Sequence, residues 1–257
     1  MRSIRSGPGR SSRRVTDVSK SPAKIAGMFD AIAHRYDFLN HVLSGGLDIY
    51  WRRRAIAALA LTGRERLLDL CTGTGDVAIA AVAGRHRSRG AARVVGVDFA
   101  GAMLAIAREK VSRGAPAGRV ALVRGDATRI PVADRSADAV TMAFGIRNVE
   151  SPAAACAEMR RVLRPGGRLA ILEFAVPDAP LFGPVYRWYL GSVLPRIGRA
   201  VSRHDAAYGY LPASIDAFPA PEEFVKILRQ QGFADATAGR LTFGSVILYT
   251  AHRPFDP

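Results

Sequence analysis

The stretch Arg66–Ala83, RLLDLCTGTGDVAIAAVA, runs from a short apolar segment through a glycine-rich turn into small and apolar residues at helical spacing. That order predicts a strand over Leu67–Cys71, a turn holding Gly73 and Gly75, and a helix over Val77–Ala83. Asp69 and Asp76 flank the turn. A strand that delivers its carboxyl end into such a turn is the first unit of a nucleotide-type pocket.

The pattern repeats downstream. Further strands are predicted over Arg93–Val97, Val120–Arg124, Ala137–Ala143 and Arg168–Phe174, and helices over Met103–Val111 and Pro152–Leu163. Pro165-Gly166-Gly167 reads as a tight turn feeding the last of these strands. Alternation of this kind implies an α/β fold, a Rossmann-like and mostly parallel sheet with helices on both faces and ligands beyond the strands' carboxyl ends. Pro221–Gln231 then reads as a helix, and Ala234–His252 as two strands forming a C-terminal antiparallel hairpin.

The rest of the chain frames this core. Residues 1–21 are rich in Arg, Ser and Gly with one acid, too polar to order themselves, and are expected to be a disordered basic tail. Residues 22–257 are read as one domain, with a helical cap over 22–63. In the cap, Ile25, Met28, Phe29, Ile32 and Tyr36 recur at helical spacing, Ser44-Gly45-Gly46 breaks the helix, and Asp48 is expected to cap a second one ending at Gly63. Arg52, Arg53 and Arg54 read as a solvated face. Residues 178–219 interrupt the alternation with Phe182, Tyr186, Trp188, Tyr189, Tyr208, Tyr210 and Phe218, a lid over an apolar substrate or aromatics packing the insertion onto the core.

Composition bounds the setting. The 257 residues are 49% hydrophobic and carry a formal charge of +15, which suits an anionic lipid surface or nucleic acid, or reflects the abundance of Arg alone. No run approaches the roughly 18 to 20 apolar residues a bilayer span requires. Cys71 and Cys156 have no metal-ligand spacing, so no metal site is expected, and a reducing cytoplasm fits.

The acids indicate the ligand. Gly73-Thr74-Gly75-Asp76-Val77-Ala78 has dinucleotide spacing, with Asp98 ending the next strand where a ribose partner belongs. A pyrophosphate would be repelled by Asp69 and Asp76, whereas the ammonium and sulfonium of S-adenosylmethionine would be attracted. Asp126, in Gly125-Asp126-Ala127, either meets an adenine amino group or caps a helix.

These residues resemble a class I S-adenosylmethionine-dependent methyltransferase, Asp69-x-x-x-Gly73-x-Gly75 being the first motif, with Cys71 where that family often has Gly. More narrowly the chain resembles the demethylmenaquinone and polyprenyl-benzoquinol C-methyltransferases, through Met28-Phe29-Asp30, Tyr36-Asp37-Phe38-Leu39-Asn40, Leu47 with Trp51-Arg52, Phe144-Gly145-Ile146-Arg147-Asn148-Val149, Leu194-Pro195-Arg196-Ile197-Gly198 and Tyr208-Gly209-Tyr210-Leu211. The resemblance implies cofactor contacts at Thr74, Asp98, Asp126 and Ala127; Asp69, Gly73 and Gly75 belong to the same loop. Ala143, where relatives often have Ser, leaves a backbone contact only.

The resemblance further implies methyl transfer to a ring carbon of a reduced quinone. The expected catalytic residues are Arg147, as a phenolate stabiliser or else in a structural ion pair, Asn148, and Tyr36 orienting a water. His204-Asp205 is a base dyad or a surface pair. The expected partners are a polyprenylated quinol, naphthoquinol ahead of benzoquinol, and transiently the anionic inner face of the cytoplasmic membrane. A homodimer is a further expectation. Nucleic acid is not expected, since Ala143-Phe144-Gly145-Ile146 stands where an amino-directed enzyme would carry Asn/Asp-Pro-Pro-aromatic. A rival reading is a non-catalytic cofactor-binding scaffold.

Overall fold

Strand β1 (Arg66–Leu70) is apolar on both sides, with Leu67 on one face of the sheet and Leu68 and Leu70 on the other, as expected of a strand covered on both faces. The computed structural model describes residues 21–84, 90–177, 179–180, 182–193, 196 and 205–256. The expected tail up to Lys20, four of the five residues of Leu194–Gly198, and His204 lie outside the described residues.

β1 is followed by β2 (Arg93–Asp98), β3 (Val120–Arg124), β4 (Ala137–Ala143), β5 (Leu163–Phe174), β6 (Ala234–Leu241) and β7 (Val246–His252). Among the described residues these form one sheet in the order β3-β2-β1-β4-β5-β7-β6. The pairs from β3 to β5 are parallel, while β7 runs antiparallel to both β5 and β6. The predicted architecture is present, hairpin included. The chain builds outward from β1 to β2 and β3, then returns to place β4 on β1's other side, so the order reverses between β1 and β4. Such a switch point leaves a crevice at the carboxyl ends.

One face carries α2 (Leu47–Ala58) and α3 (Asp76–Ala83), which bury Trp51, Ile56, Val77, Ala78 and Ala81 against Leu67, Val94 and Leu172. The opposite face carries α5 (Pro152–Val162) and α8 (Pro221–Gln230), where Met159, Phe224 and Leu228 pack on Met142 and Tyr249. Each such side chain contributes roughly 1.5–3 kcal/mol on full burial. Local signals start both helices: Pro152 follows Ser151, whose hydroxyl accepts from Ala154 N at 3.2 Å, and Pro221 is followed by Glu222 and Glu223 in the first turn. α4 (Gly101–Gly114) packs on β3 and supports α1 (Pro22–Ser44). The insertion contributes α6 (Phe182–Trp188) and α7 (Asp205–Asp216), the latter continuing through Pro212.

Four expectations are corrected. Asp48 does not cap α2; Gly46, at φ 80°, occupies that position, and Asp48 sits buried in the first turn, accepting from Ser44 Oγ at 3.0 Å and Arg52 Nη1 at 2.5 Å. Arg52 accordingly leaves the solvated face that Arg53 and Arg54 share. The helix stops at Ala58 rather than Gly63. Pro165-Gly166-Gly167 is not a turn before β5 but an irregularity within it: the pairing jumps from Ala137–Leu163 to Ala139–Arg168, and Gly166 N and Gly167 O are taken up by Arg253 at 2.9 and 2.8 Å.

Glu65, just before β1, accepts from Thr62 N, Thr62 Oγ1, Gly63 N and Arg64 N. Burial pushes its carboxyl up, but these donors outweigh burial and hold it at about 2. A depressed folded pKa stabilises above the unfolded value near 4.5 and is lost as pH falls towards 2. Glu65→Gln should therefore cost roughly 1–3 kcal/mol at pH 7 and almost nothing near pH 2, measured by urea unfolding at the two pH values.

Candidate active site

At the switch point the chain after β1 and the chain after β4 approach closely. A Cβ on Gly145 would lie 2.5 Å from Cys71 Cβ, so no side chain fits there. Cys71 and Phe144 both hold positive φ, 50° and 59°, a conformation glycine adopts freely and other residues rarely. Phe144 is held in it by stacking on Phe174 at 4.4 Å, by an edge contact with Trp51 at 6.0 Å and by its N–H donating to Leu172 O at 2.8 Å.

Beyond these ends lies a cavity. Gly73, Asp98, Asp126, Ala127, Ala143 and Asn148 all line it, joined by Phe29 and Tyr36 of α1 and by Met103. Asp98 Oδ2 accepts from Gly73 N and Oδ1 from Ala100 N, both at 2.9 Å, which fixes the carboxylate at the end of β2. Burial raises its pKa, against those two bonds. Asp126 Oδ1 accepts from Thr128 N and Oγ1 at 2.7 and 2.8 Å, a local turn bond rather than a helix cap. Three carboxylates, Asp98, Asp126 and Glu150, and no Lys or Arg line the cavity among the described residues. The Asn148 side-chain oxygen is buried without a partner. This donor and acceptor set fits a ligand with amino and hydroxyl groups and positive charge, as S-adenosylmethionine has, and not a pyrophosphate.

Asp69, Thr74 and Gly75 lie outside the lining and support the turn from behind. Asp69 is 1% exposed and accepts from Thr72 Oγ1 at 2.6 Å. Gly75, at φ 85°, lets α3 begin against Ala107 of α4. The Thr74 hydroxyl donates to Asp37 Oδ1 at 2.6 Å. Asp76 pairs with Lys110 and, at 3.4 Å, with Arg52, so its charge is spent within the protein and not on a ligand's ammonium. Lys110 also bonds Asp37 at 2.8 Å, and Asp30 caps α4 by accepting from Ala102 N at 2.9 Å. Asp30, Asp37 and Lys110 thus pin α1 over the cavity, a role sequence reading missed although Asp30 and Asp37 stand in the quoted segments.

A second, apolar cavity meets the first across Phe29, Tyr36 and Phe144. Leu39 and Leu43 of α1, Trp51 of α2, Phe174, and Phe182, Tyr186, Trp188, Tyr189 and Tyr210 of the insertion line it. Phe218 instead packs into the core against Phe224, so the aromatics divide between the cavity wall and the core. At the cavity wall Arg147, 6% exposed, donates from Nη1 to Glu173 Oε1 at 2.5 Å and to Phe144 O at 2.8 Å, and from Nε to Ser214 Oγ at 3.3 Å. Its Nη2 has no hydrogen-bond partner among the described residues. Glu173, fully buried on β5, also went unseen in the sequence, because its position in an apolar strand carries no local signal.

Fold and site together define a class I methyltransferase with a polar cavity opening onto an apolar one. The chain belongs to the ubiE/COQ5 methyltransferase family, whose model matches residues 16–253. It is thus an S-adenosylmethionine-dependent C-methyltransferase of quinone biosynthesis. Among its relatives, the ubiquinone/menaquinone biosynthesis C-methyltransferase UbiE of Syntrophotalea carbinolica is 47% identical over 227 residues, 88% of this chain and 92% of the relative. The demethylmenaquinone methyltransferase of Thermus thermophilus is 46% identical over 228 residues, 88% of this chain and 100% of the relative. In fold it is similar to a solved SAM-dependent methyltransferase of Thermotoga maritima, with a TM-score of 0.59 at 18% identity, covering 89% of this chain and 99% of that one.

Burial pushes the Asp69 carboxyl up to about 7, against the bond from Thr72. A raised folded pKa stabilises fully below the unfolded value, near 3.8, and that contribution is lost as pH rises through about 7. Asp69→Asn, which keeps an acceptor for Thr72, should flatten the decline in thermal stability between pH 4 and pH 7. An unchanged slope in calorimetry across that window would assign the decline elsewhere.

Proposed function

We propose that the enzyme methylates a ring carbon of reduced demethylmenaquinone, with the naphthoquinol ring at the junction of the two cavities and the polyprenyl tail in the apolar one. The observation that carries this reading is the meeting of the two cavities across Phe29, Tyr36 and Phe144, with the guanidinium of Arg147 held beside the junction. Relatives bearing the name demethylmenaquinone methyltransferase support the naphthoquinol over the benzoquinol.

When bound, S-adenosylmethionine supplies an electrophilic methyl group on a sulfonium. Asp98 and Asp126 would hold its ribose hydroxyls and adenine amino group, with Gly73, Ala127 and Ala143 forming the walls. The ring carbon is a weak nucleophile until a neighbouring hydroxyl, with an ordinary pKa near 10, gives up its proton. Arg147 favours that ionisation: Glu173, Phe144 O and Ser214 fix its plane, which leaves Nη2 to donate to the forming phenolate. Glu173 partly offsets the charge of the guanidinium, and the withdrawal of both from water keeps the remaining field strong. Tyr36 is kept protonated, since burial raises its pKa. It therefore acts as a donor, orienting the hydroxyl or the water that takes its proton, and not as the base. The unpartnered Asn148 oxygen accepts at the cofactor side of the junction. A tailed quinol resides in a bilayer, and the charge of +15 draws the enzyme to an anionic one, each basic residue near the surface contributing roughly 1 kcal/mol.

Removing the Arg147 side chain would strand a buried carboxylate, at a cost of about 3–5 kcal/mol, so Arg147→Lys is the cleaner test. It keeps the charge and loses the fork. Turnover of demethylmenaquinol should fall about 100-fold or more while cofactor affinity by calorimetry stays near wild type. Wild-type turnover would remove Arg147 from the chemistry, and faster methylation of the benzoquinol would reassign the ring.

A further inference from the structure

Three residues that line the apolar cavity are also well exposed: Leu47 at 41%, Val185 at 58% and Trp188 at 61%. They mark its mouth, Leu47 at the start of α2 and the other two on α6. The exposed apolar surface does not stop there. Phe38 and Val42, exposed, sit one helical turn apart on α1, each next to a cavity-lining neighbour, Leu39 and Leu43. Ile49 and Tyr50 continue it along the first turn of α2. Scattered exposed apolar residues need no explanation, but seven on three helices that line one cavity, three of them in its lining, do.

The charge of these helices is one-sided. Between Phe38 and Ala58 the sole acid is Asp48, which is buried and bonded to Ser44, His41 and Arg52. Arg53 and Arg54, one turn beyond Tyr50, are exposed. α6 contains Arg187 and no acid. An apolar rim with Trp and Tyr among its members, basic residues beside it and no exposed carboxylate on the same helices has the composition of a surface that enters the headgroup layer of a bilayer. A second copy of the chain would bring the same positive charge against itself.

We infer that this rim, Phe38, Val42, Leu47, Ile49, Tyr50, Val185 and Trp188, is the membrane-docking face of the enzyme, and that its partner is the headgroup-acyl boundary of an anionic bilayer. Docked this way, the mouth of the apolar cavity lies against lipid, and a tailed substrate enters without crossing water. The inference rests on the quinol reading for its purpose and on the rim itself for its geometry.

The test uses the full chain and two variants at positions outside the cavity lining, Phe38→Ser/Ile49→Ser/Tyr50→Ser and Arg53→Gln/Arg54→Gln. Flotation with vesicles of phosphatidylcholine and phosphatidylglycerol reads docking. Methylation of a water-soluble short-tailed demethylquinol, and of a long-tailed one in the same vesicles, reads delivery. The triple variant should lose at least about tenfold in partition at every salt concentration, and the arginine pair on the order of tenfold at low salt only. Both should methylate the soluble quinol as wild type does, which also reports an intact fold, and lose rate on the vesicle substrate in step with partition. A triple variant that floats like wild type would overturn the inference, as would one that changes the sedimentation state while leaving flotation intact, since the rim would then belong to a second copy. Should wild type methylate neither quinol, the functional reading fails and flotation still judges the rim.

Discussion

Two adjacent parallel strands must end at the same edge of the sheet and then send their chains apart, and the structure meets this constraint by holding Cys71 and Phe144 in left-handed conformations. Each costs of order 1–3 kcal/mol, sustained by its surroundings. For Phe144 the support is visible: Phe174 stacks on its ring, Trp51 meets its edge, and its carbonyl, turned by the unusual φ, accepts from Arg147. The turn that opens the crevice therefore also sets the guanidinium. Gly145 lets the two chain ends approach closely.

The electrostatics follow from the same geometry. Of the acids around the first loop, Asp69 is buried and drawn towards its neutral form, and Asp76 is matched by Lys110 and Arg52. The charge left facing the cofactor cavity belongs to Asp98, Asp126 and Glu150, carried by three different connections. A methyl donor with a positive centre and no phosphate suits that distribution. The acids that first suggest the ligand are thus mostly not those that would touch it.

The apolar cavity depends on elements outside the sheet. α1 reaches over both cavities because Asp30 caps α4 and Asp37 bonds Thr74 and Lys110, three polar ties beside the apolar packing of Phe29, Ala33 and Tyr36 on Ala100 and Met103. The insertion closes the opposite side with aromatics. One helix therefore lines both cavities at once, through Phe29 and Tyr36.

What the sequence by itself determined is the sheet, its hairpin, and the position of Gly73, Asp98, Asp126 and Asn148 at strand ends, because strand period, glycine turns and alternation are local properties that survive without tertiary context. It also carried the family, in Phe144–Val149 and Tyr36–Asn40. What only the tertiary structure decided is how charges pair across distance. Asp76 with Lys110, Asp76 with Arg52 and Arg147 with Glu173 are contacts between elements, and a carboxylate written in a helix or strand reads the same whether it faces a ligand, a cation or nothing. The same holds for the seven exposed residues of the rim, whose apolar character is plain in the sequence and whose gathering at one mouth belongs to the fold.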